Sequence, residues 1–237
     1  MSATKTLEAR LFAQSQFDLG WAGIIASGIK TGKRLKHYLK QLDYMCQQIS
    51  SEIKSGNDIE EAKAIFDWLW SNKPKRYQRL GNFRLTQVIE AQLDEKEETV
   101  GSCLGLTLLY NVLCQRFGLK IKAVHLEEAF GWGPHVFSLL VSGSGTLDVE
   151  NIFDNGFDYK RHINNPGRQE WGDRELIADL YLSDGNSLFE QGDFAEALGS
   201  YDKALKLNPK YLNAYRNKGL TLMQLGRMEE AKEYLVK

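Results

Sequence analysis

The last third of the chain repeats itself, and no other feature limits the possible folds as strongly. Residues 212–237 align with residues 178–211 at a spacing of about 34 residues. The matched positions carry the same residue in both copies: Tyr181 and Tyr215, Gly185 and Gly219, Leu188 and Leu222, Gly192 and Gly226, Ala197 and Ala231. A period of this length predicts an array in which each unit buries its apolar face against the next.

Small and large residues alternate in this segment as packed helical hairpins require. Gly185 and Ala197 are small where two helices would cross, Tyr181 and Tyr201 fill the space between them, and Pro209 ends the second helix. The segment resembles the tetratricopeptide repeat, an all-α family of helical hairpins. The resemblance implies a protein or peptide partner. The second copy is about two turns short, which predicts that the natural chain continues past its last residue.

The resemblance also implies which repeat residues contact a partner. One helix of each repeat should line a concave surface, and Asn186, Arg216 and Asn217 fall at positions that contact extended peptides in other such arrays. The alternative is a solvated polar surface without a ligand. Leu182 stands where a lysine would be needed to capture a C-terminal carboxylate, so that form of binding is disfavoured.

Composition and charge exclude several classes of protein. The chain is 43% hydrophobic and 26% charged with a net charge of −1, so nothing attracts it to nucleic acid or to an acidic membrane surface. Its 3 cysteines have no paired spacing, which favours a reducing compartment over a disulfide framework. The N-terminus has no signal pattern, and the apolar run FDLGWAGIIASGI is too short to cross a bilayer. These features predict a cytoplasmic protein with neither nucleic acid nor membrane as a partner.

The first part of the chain is predicted to begin with helices. Apolar residues recur at steps of three and four through residues 35–53, and a capping-box pattern opens the next helix at Asp58. A further helix should start near Asn82. The segment GSCLGLTLLYNVLCQRFGL is apolar on every side, which predicts a central buried helix that begins at Ser102 and ends at Gly118.

A small antiparallel sheet should follow that helix. Residues 121–126, 135–141 and 146–152 alternate with a period of two, and SGSG between the last two is a hairpin turn. The segment RHINNPGRQEWGD has the composition of a linker. The expected fold is therefore α+β for residues 1–165, followed by all-α repeats in residues 173–237.

Cys103 and His135 are the first candidates for chemistry. A cysteine at a helix start lies near free N–H groups and the positive end of the helix dipole, both of which stabilise a thiolate. His135 begins a strand after the glycine-rich loop GWGP, and carboxylates follow on the next strand. A thiol, a histidine and a carboxylate in this order fit nucleophilic catalysis. The alternative for Cys103 is a small buried apolar residue, as expected for Cys46 and Cys114.

The same segments carry a resemblance to a known family. Helices, then G-x-C opening a buried helix, then HVFSLL…LDVEN…GF, look like the transglutaminase-like superfamily, and FDLGWAGIIASGI with RLGN is closest to its SirB-like branch. The resemblance covers roughly residues 15–160, and SirB-like proteins often carry tetratricopeptide repeats afterwards. It implies a papain-like fold with Cys103 as nucleophile and His135 as base, and hence hydrolysis or acyl transfer at an amide bond.

The third catalytic residue is predicted to be Glu150, with Asp148 as the alternative. The two carboxylates share one face of their strand. If Ser142 and Gly143 form the turn, His135 pairs directly with Glu150. If Gly143 and Ser144 form it, as Gly-x favours, Glu150 is the diagonal neighbour of His135. A bulge would bring in Asn151 instead.

No cofactor or metal is expected. The chain has no HExxH or CxxC spacing, no phosphate-binding loop and no dinucleotide fingerprint. Gln87 and Gln92 are candidates for a second oxyanion donor, although both are expected to be solvated. The alternative to an enzyme is a non-catalytic scaffold, in which a papain-like domain supports a peptide-binding repeat.

Overall fold

The computed structural model describes residues 6–53 and 56–235, which fall into two compact units that divide between Asp173 and Arg174. We call them the sheet unit and the repeat unit. Val236 and Lys237, at the end of the predicted second repeat, lie outside the described residues. The helices of the sheet unit are α1 (Leu7–Phe12), α2 (Leu19–Ala26), α3 (Gly32–Ser50), α4 (Asp58–Asn72), α5 (Leu85–Leu93) and α6 (Cys103–Arg116). Its strands are β1 (Ile121–Leu126), β2 (His135–Ser142), β3 (Gly145–Val149) and β4 (Gln169–Trp171).

Helix α4 begins at Asp58, as predicted, although a different side chain caps it, and α5 begins later than predicted. The side chain that caps α4 is Asn57, whose Oδ1 accepts from the backbone N–H groups of Ile59 and Glu60. Helix α5 starts at Leu85 instead of Asn82, because Asn82 is bonded to the chain before α6. Its carbonyl accepts from the Ser102 N–H group at 2.9 Å, and its side chain donates to the Val100 carbonyl at 3.2 Å.

Helix α6 is the centre of the sheet unit, as its apolar sequence predicts. Every residue from Leu104 to Cys114 is buried. The preceding chain passes so close that glycine is required at two positions. A Cβ atom at Gly101 or at Gly105 would lie 2.5 Å from the Asn82 carbonyl oxygen. The glycines around Cys103 therefore let the Asn82 segment pack against the start of α6.

The sheet has four antiparallel strands in the order β3-β2-β1-β4. Ser142 pairs with Gly145, so the hairpin turn consists of Gly143 and Ser144, the register that a Gly-x turn favours. The segment RHINNPGRQEWGD was predicted to be a linker. This prediction was wrong for Gln169–Trp171, which form strand β4. Trp171 pairs with Ala123 of β1, and its ring stacks on His125 at 4.1 Å between centroids. His125 is accordingly buried.

A buried polar network ties α6 to the sheet. Ser138 of β2 donates to Asn111 Oδ1 at 2.6 Å and accepts from Asn151 Nδ2 at 2.8 Å. Thr107 donates to the Val136 carbonyl at 3.2 Å and also accepts from Asn151. Buried hydrogen bonds of this kind specify a single arrangement, so they fix the start of α6 relative to β2 and to the chain after β3.

The repeat unit is helical throughout its regular structure. Its helices are α7 (Asp173–Gln191), α8 (Phe194–Leu207), α9 (Leu212–Gln224) and α10 (Met228–Leu235). A Cβ atom at Gly185 would lie 2.5 Å from the Tyr201 ring, and one at Gly219 would lie 2.7 Å from the Leu235 side chain. Both glycines thus stand at helix crossings, as their place in the repeat predicts. The observed fold is helical with a small antiparallel sheet, followed by repeat-type helices.

Candidate active site

Cys103 is the first residue of α6 and is half-buried with a free thiol. The residue before it, Ser102, is the N-cap, but its side chain makes no capping hydrogen bond. The first N–H groups of a helix have no intrahelical acceptor, and here no side chain of the cap satisfies them. The thiol therefore lies at the electropositive end of the central helix.

His135 is the first residue of β2 and is only 5% exposed. Its Nε2 lies 2.7 Å from Glu150 Oε2 in a buried hydrogen bond, and because a carboxylate only accepts, the imidazole is the donor. This bond leaves Nδ1 for the thiol. Burial lowers the pKa of the imidazole, but hydrogen bonding to Cys103 and to Glu150 outweighs burial and raises the pKa to about 10.

Glu150 follows directly after β3 and is fully buried. Its backbone N–H donates to the Gly156 carbonyl at 2.8 Å. A Cβ atom at Gly156 would lie only 1.9 Å from the Glu150 carbonyl oxygen, so glycine is required for this close turn. Burial raises the pKa of the Glu150 carboxyl, yet the hydrogen bond from His135 and the nearby ring of His162 outweigh burial and lower the pKa. The group is held as a carboxylate.

Asp148 and Asn151 lie away from the His135 ring. Arg168 donates to both carboxylate oxygens of Asp148, at 2.6 and 2.8 Å, and its guanidinium stacks over Phe137 at 5.4 Å. The Asp148–Arg168 pair therefore holds the segment before β4 against β3. Asn151 belongs to the buried network beneath α6. His135 and Glu150 are hydrogen-bonded to each other, and the Cys103 thiol is among the groups that raise the pKa of His135, whereas Asp148 is paired with Arg168.

His162 is a member of the site that sequence reasoning missed. It lies in the predicted linker, yet it is 6% exposed and its Nε2 is 3.6 Å from Glu150 Oε2. Its ring packs against the rings of Phe130 at 4.9 Å, Phe137 at 5.1 Å and Tyr159 at 5.3 Å. No spacing motif marks this histidine. The aromatic residues that pack against it come from separate segments of the chain, so they gave little indication of its place in the site.

An aromatic rim surrounds the site. Phe130 adopts a left-handed backbone with φ of 57°, which a non-glycine residue rarely does, and its ring lies edge-on to His135 at 5.3 Å. Strained backbone of this kind is concentrated at functional sites. Trp132 is 44% exposed, stacks on Tyr77 at 6.5 Å, and accepts a hydrogen bond at its carbonyl from Arg79. The loop before β2 thus covers the imidazole and leaves an indole at the surface.

The remaining candidates lie elsewhere in the sheet unit. Cys114 is completely buried, and burial strongly raises the pKa of its thiol. Cys46 is half-buried on α3. Gln92, which was expected to be solvated, is instead buried and donates to the Leu69 carbonyl at 3.3 Å. The Gln92 side chain therefore connects α5 to α4 and does not serve as an oxyanion donor.

The repeat unit has a separate cleft of about 170 Å³, lined by Asn186, Phe189, Glu190, Tyr201, Asn217 and Leu220. Asn186 Oδ1 accepts from Asn217 Nδ2 at 2.7 Å and from the Tyr201 hydroxyl at 3.0 Å. Arg216 is exposed and does not line this cleft, and Leu182 is buried. Of the three residues predicted to contact a partner, Asn186 and Asn217 therefore lie together in the cleft, and Arg216 lies outside it.

Comparison with known proteins bears on the repeat unit. Residues 185–226 match the TPR repeat family. An uncharacterized protein of Methanocaldococcus jannaschii is 45% identical over 56 residues, which are 24% of this chain and 65% of that protein. DnaJ homolog subfamily C member 7 of Homo sapiens is 39% identical over 54 residues, 23% of this chain and 11% of the relative. Hsp70-Hsp90 organizing protein 1 of Glycine max is 41% identical over 63 residues, 27% of this chain and 11% of the relative.

These comparisons show a tetratricopeptide repeat and leave the candidate active site as a prediction. The chain spans less than two thirds of the length of each of these relatives. No solved structure matches the chain. Within residues 6–53 and 56–235, no helix combines the length and the apolar character needed to cross a bilayer. The cytoplasmic location stays a prediction.

Proposed function

We propose that this chain is a cysteine-dependent amide hydrolase or acyl transferase, built on a transglutaminase-like, papain-like domain of about residues 1–165. Cys103 is the nucleophile, His135 the general base, and Glu150 the carboxylate that orients the imidazole. The observation that carries the proposal is the buried 2.7 Å hydrogen bond between Glu150 and Nε2 of His135. A thiol, an imidazole and a carboxylate placed in this way recur in nucleophilic catalysis on unrelated folds.

Each residue has a defined part in the reaction. The raised pKa of His135 lets the ring take the proton of the Cys103 thiol before the sulfur attacks the carbonyl carbon, and the free N–H groups at the start of α6 then stabilise the oxyanion that forms. The amine leaves with the proton from His135, and a thioester remains. Water or a second amine then attacks the thioester, again losing its proton to His135, and the thiol is released.

An activated ester tests the nucleophile before the natural substrate is known. After treatment with p-nitrophenyl acetate near neutral pH, mass spectrometry should find one acetyl group on Cys103. Cys103→Ala should release nitrophenolate no faster than buffer, and the control Cys46→Ala should behave like the unaltered chain. Acetylation that is spread equally over the cysteines, or that survives His135→Gln at full rate, would contradict the proposal.

We further propose that the repeats, residues 173–237, recruit a protein partner. The match to the TPR repeat family supports a protein-interaction scaffold, and two relatives are named for Hsp70, Hsp90 or DnaJ proteins. The cleft beside Asn186 and Asn217 is the proposed contact surface for an extended peptide. If the acylation test fails, this scaffold role is the function that the TPR match still supports.

A further inference from the structure

A compact group of metal-binding side chains lies at the same site. His135, Glu150 and His162 each offer a ligand atom, and these atoms all lie within 4.8 Å of one another. All three residues are buried. Two imidazoles and one carboxylate are a donor set that proteins use for zinc and related cations.

Two polar atoms of this group lack hydrogen bonds. Glu150 Oε1 and His162 Nε2 are buried and make no hydrogen bond with any described residue. A buried polar atom without a partner costs free energy, and native proteins contain few of them. The Nε2 atom of His162 lies 3.6 Å from Oε2 of the same Glu150 carboxylate. Both unsatisfied atoms therefore belong to one small cluster of buried side chains.

The distances fit a tetrahedral cation. Zinc binds nitrogen and oxygen at about 2.0–2.1 Å, which places neighbouring tetrahedral ligand atoms about 3.3 Å apart. The observed separations of 2.7 Å, from His135 Nε2 to Glu150 Oε2, and 3.6 Å, from His162 Nε2 to the same oxygen, lie on either side of that value. Small side-chain shifts would bring these two pairs of atoms to that value.

We propose that His135, Glu150 and His162 bind a first-row divalent cation of the zinc type, and that the bound cation switches off Cys103. Imidazole donors select such cations over Mg²⁺ and Ca²⁺, which prefer all-oxygen sites. The absence of HExxH spacing does not exclude this site, since its ligands come from β2, from the residue after β3 and from the segment before β4.

The switching effect rests on the proposed function and follows from the two ring nitrogens of His135. A cation on Nε2 displaces the proton from that atom, and the neutral ring keeps its proton on Nδ1. His135 then has no lone pair to accept the proton of the thiol. The metal-bound ring also holds its Nδ1 proton too tightly to give it to a leaving amine. Both halves of the reaction stop until the cation is removed.

Calorimetric titration of the full chain with ZnCl₂, after treatment with EDTA and its removal, tests the binding. The expected stoichiometry is one zinc per chain, with no heat from MgCl₂. His162→Phe keeps an aromatic ring among its aromatic neighbours but removes a ligand. Loss of a residue that only supports a ligand costs up to about a hundredfold in metal affinity. Loss of the ligand itself should therefore lower the zinc affinity by more than that. The matched control His37→Phe changes an exposed histidine of α3 and should keep full affinity.

Cobalt distinguishes this site from adventitious binding to a thiol. The Co²⁺ complex should show tetrahedral visible bands without a thiolate-to-cobalt charge-transfer band, and Cys103→Ser should bind zinc as tightly as the unaltered chain. A charge-transfer band, a loss of binding in Cys103→Ser, or full affinity in His162→Phe would overturn the proposed site. An absence of tight binding by the unaltered chain would overturn it without any variant.

The switching effect has its own readout. Acetylation of Cys103 in excess EDTA should be fast and should stop when one equivalent of zinc is bound. Acetylation that continues unchanged with zinc bound overturns the switching effect. If Cys103 is unreactive even in EDTA while zinc still binds, the proposed function fails and the cation site stands.

Discussion

The two units hold their polar side chains in different surroundings. In the sheet unit, His135 is 5% exposed and Glu150 is 0% exposed, and they are hydrogen-bonded to each other below the surface. In the repeat unit, Asn186 and Asn217 are half-buried and hydrogen-bonded to each other along an open cleft. Removing one partner from a closed polar pair leaves the other without a substitute, whereas water replaces a lost partner in an open cleft. We therefore expect chemistry at the first site and exchangeable contacts at the second.

The largest effect is expected from Glu150→Gln. Glutamine cannot stabilise an imidazolium, so the rate of Cys103 acetylation should fall by about a hundredfold or more. The matched control is Asp148→Asn, which weakens the pair with Arg168 and should cost about 1–3 kcal/mol of unfolding free energy while the folded protein keeps its rate. Stopped-flow acetylation and urea unfolding measure the two quantities. Equal loss of rate in both variants would remove the distinction between the two carboxylates.

The next effect concerns packing in the repeat unit. In Gly185→Ala, the new Cβ atom would lie 2.5 Å from the Tyr201 ring. Overpacking of this kind costs about 1–3 kcal/mol of unfolding free energy. Thermal unfolding should show a lower midpoint, and acetylation of Cys103, which belongs to the other unit, should keep its rate. Gly199→Ala is the control, since a Cβ atom at Gly199 meets nothing within 4 Å. Equal destabilisation by both changes would mean that the helix crossing is not the cause.

The smallest effect is expected from Asn217→Ala. Asn217 donates to Asn186 in the open cleft, so its loss should change the unfolding free energy by less than about 1 kcal/mol. Binding of extended peptides on an array should weaken nonetheless, because the side chain lies on the proposed contact surface. Arg216→Ala, outside the cleft, is the comparison. A screen in which Asn217→Ala binds every peptide as well as the unaltered chain would refute this use of the cleft.

The two units also differed in how far their sequences predicted them. The repeat could be predicted because its contacts are set by a fixed spacing, in which Gly185 meets Tyr201 and Gly219 meets Leu235. The proximity of His135 and Glu150 could also be predicted from the sequence, since a short hairpin fixes the register of its two strands. In both cases the residues that meet are close in the chain or related by a simple period.

Other parts of the site could not be predicted for the same reason. His162 lies near Glu150 in a segment that is followed by the Arg168–Asp148 pair and by the pairing of β4 with β1, and neither contact leaves a periodic pattern in the sequence. Strand β4 is three residues long and stands among residues typical of a loop. The burial of Gln92 likewise depends on how α4 and α5 pack. Side chains gathered from segments far apart in sequence require the fold itself.

The most direct measurement of the central claim is the rate at which iodoacetamide labels each cysteine of one sample in EDTA. Peptide mass spectrometry at several times gives three rates from the same protein. The account predicts that Cys103 is labelled much faster than the half-buried Cys46, and that this advantage disappears in His135→Gln. Burial keeps Cys114 protonated and unlabelled until the protein unfolds. If Cys103 reacts no faster than Cys46, or if His135→Gln leaves its rate unchanged, Cys103 and His135 are not a nucleophile and its base.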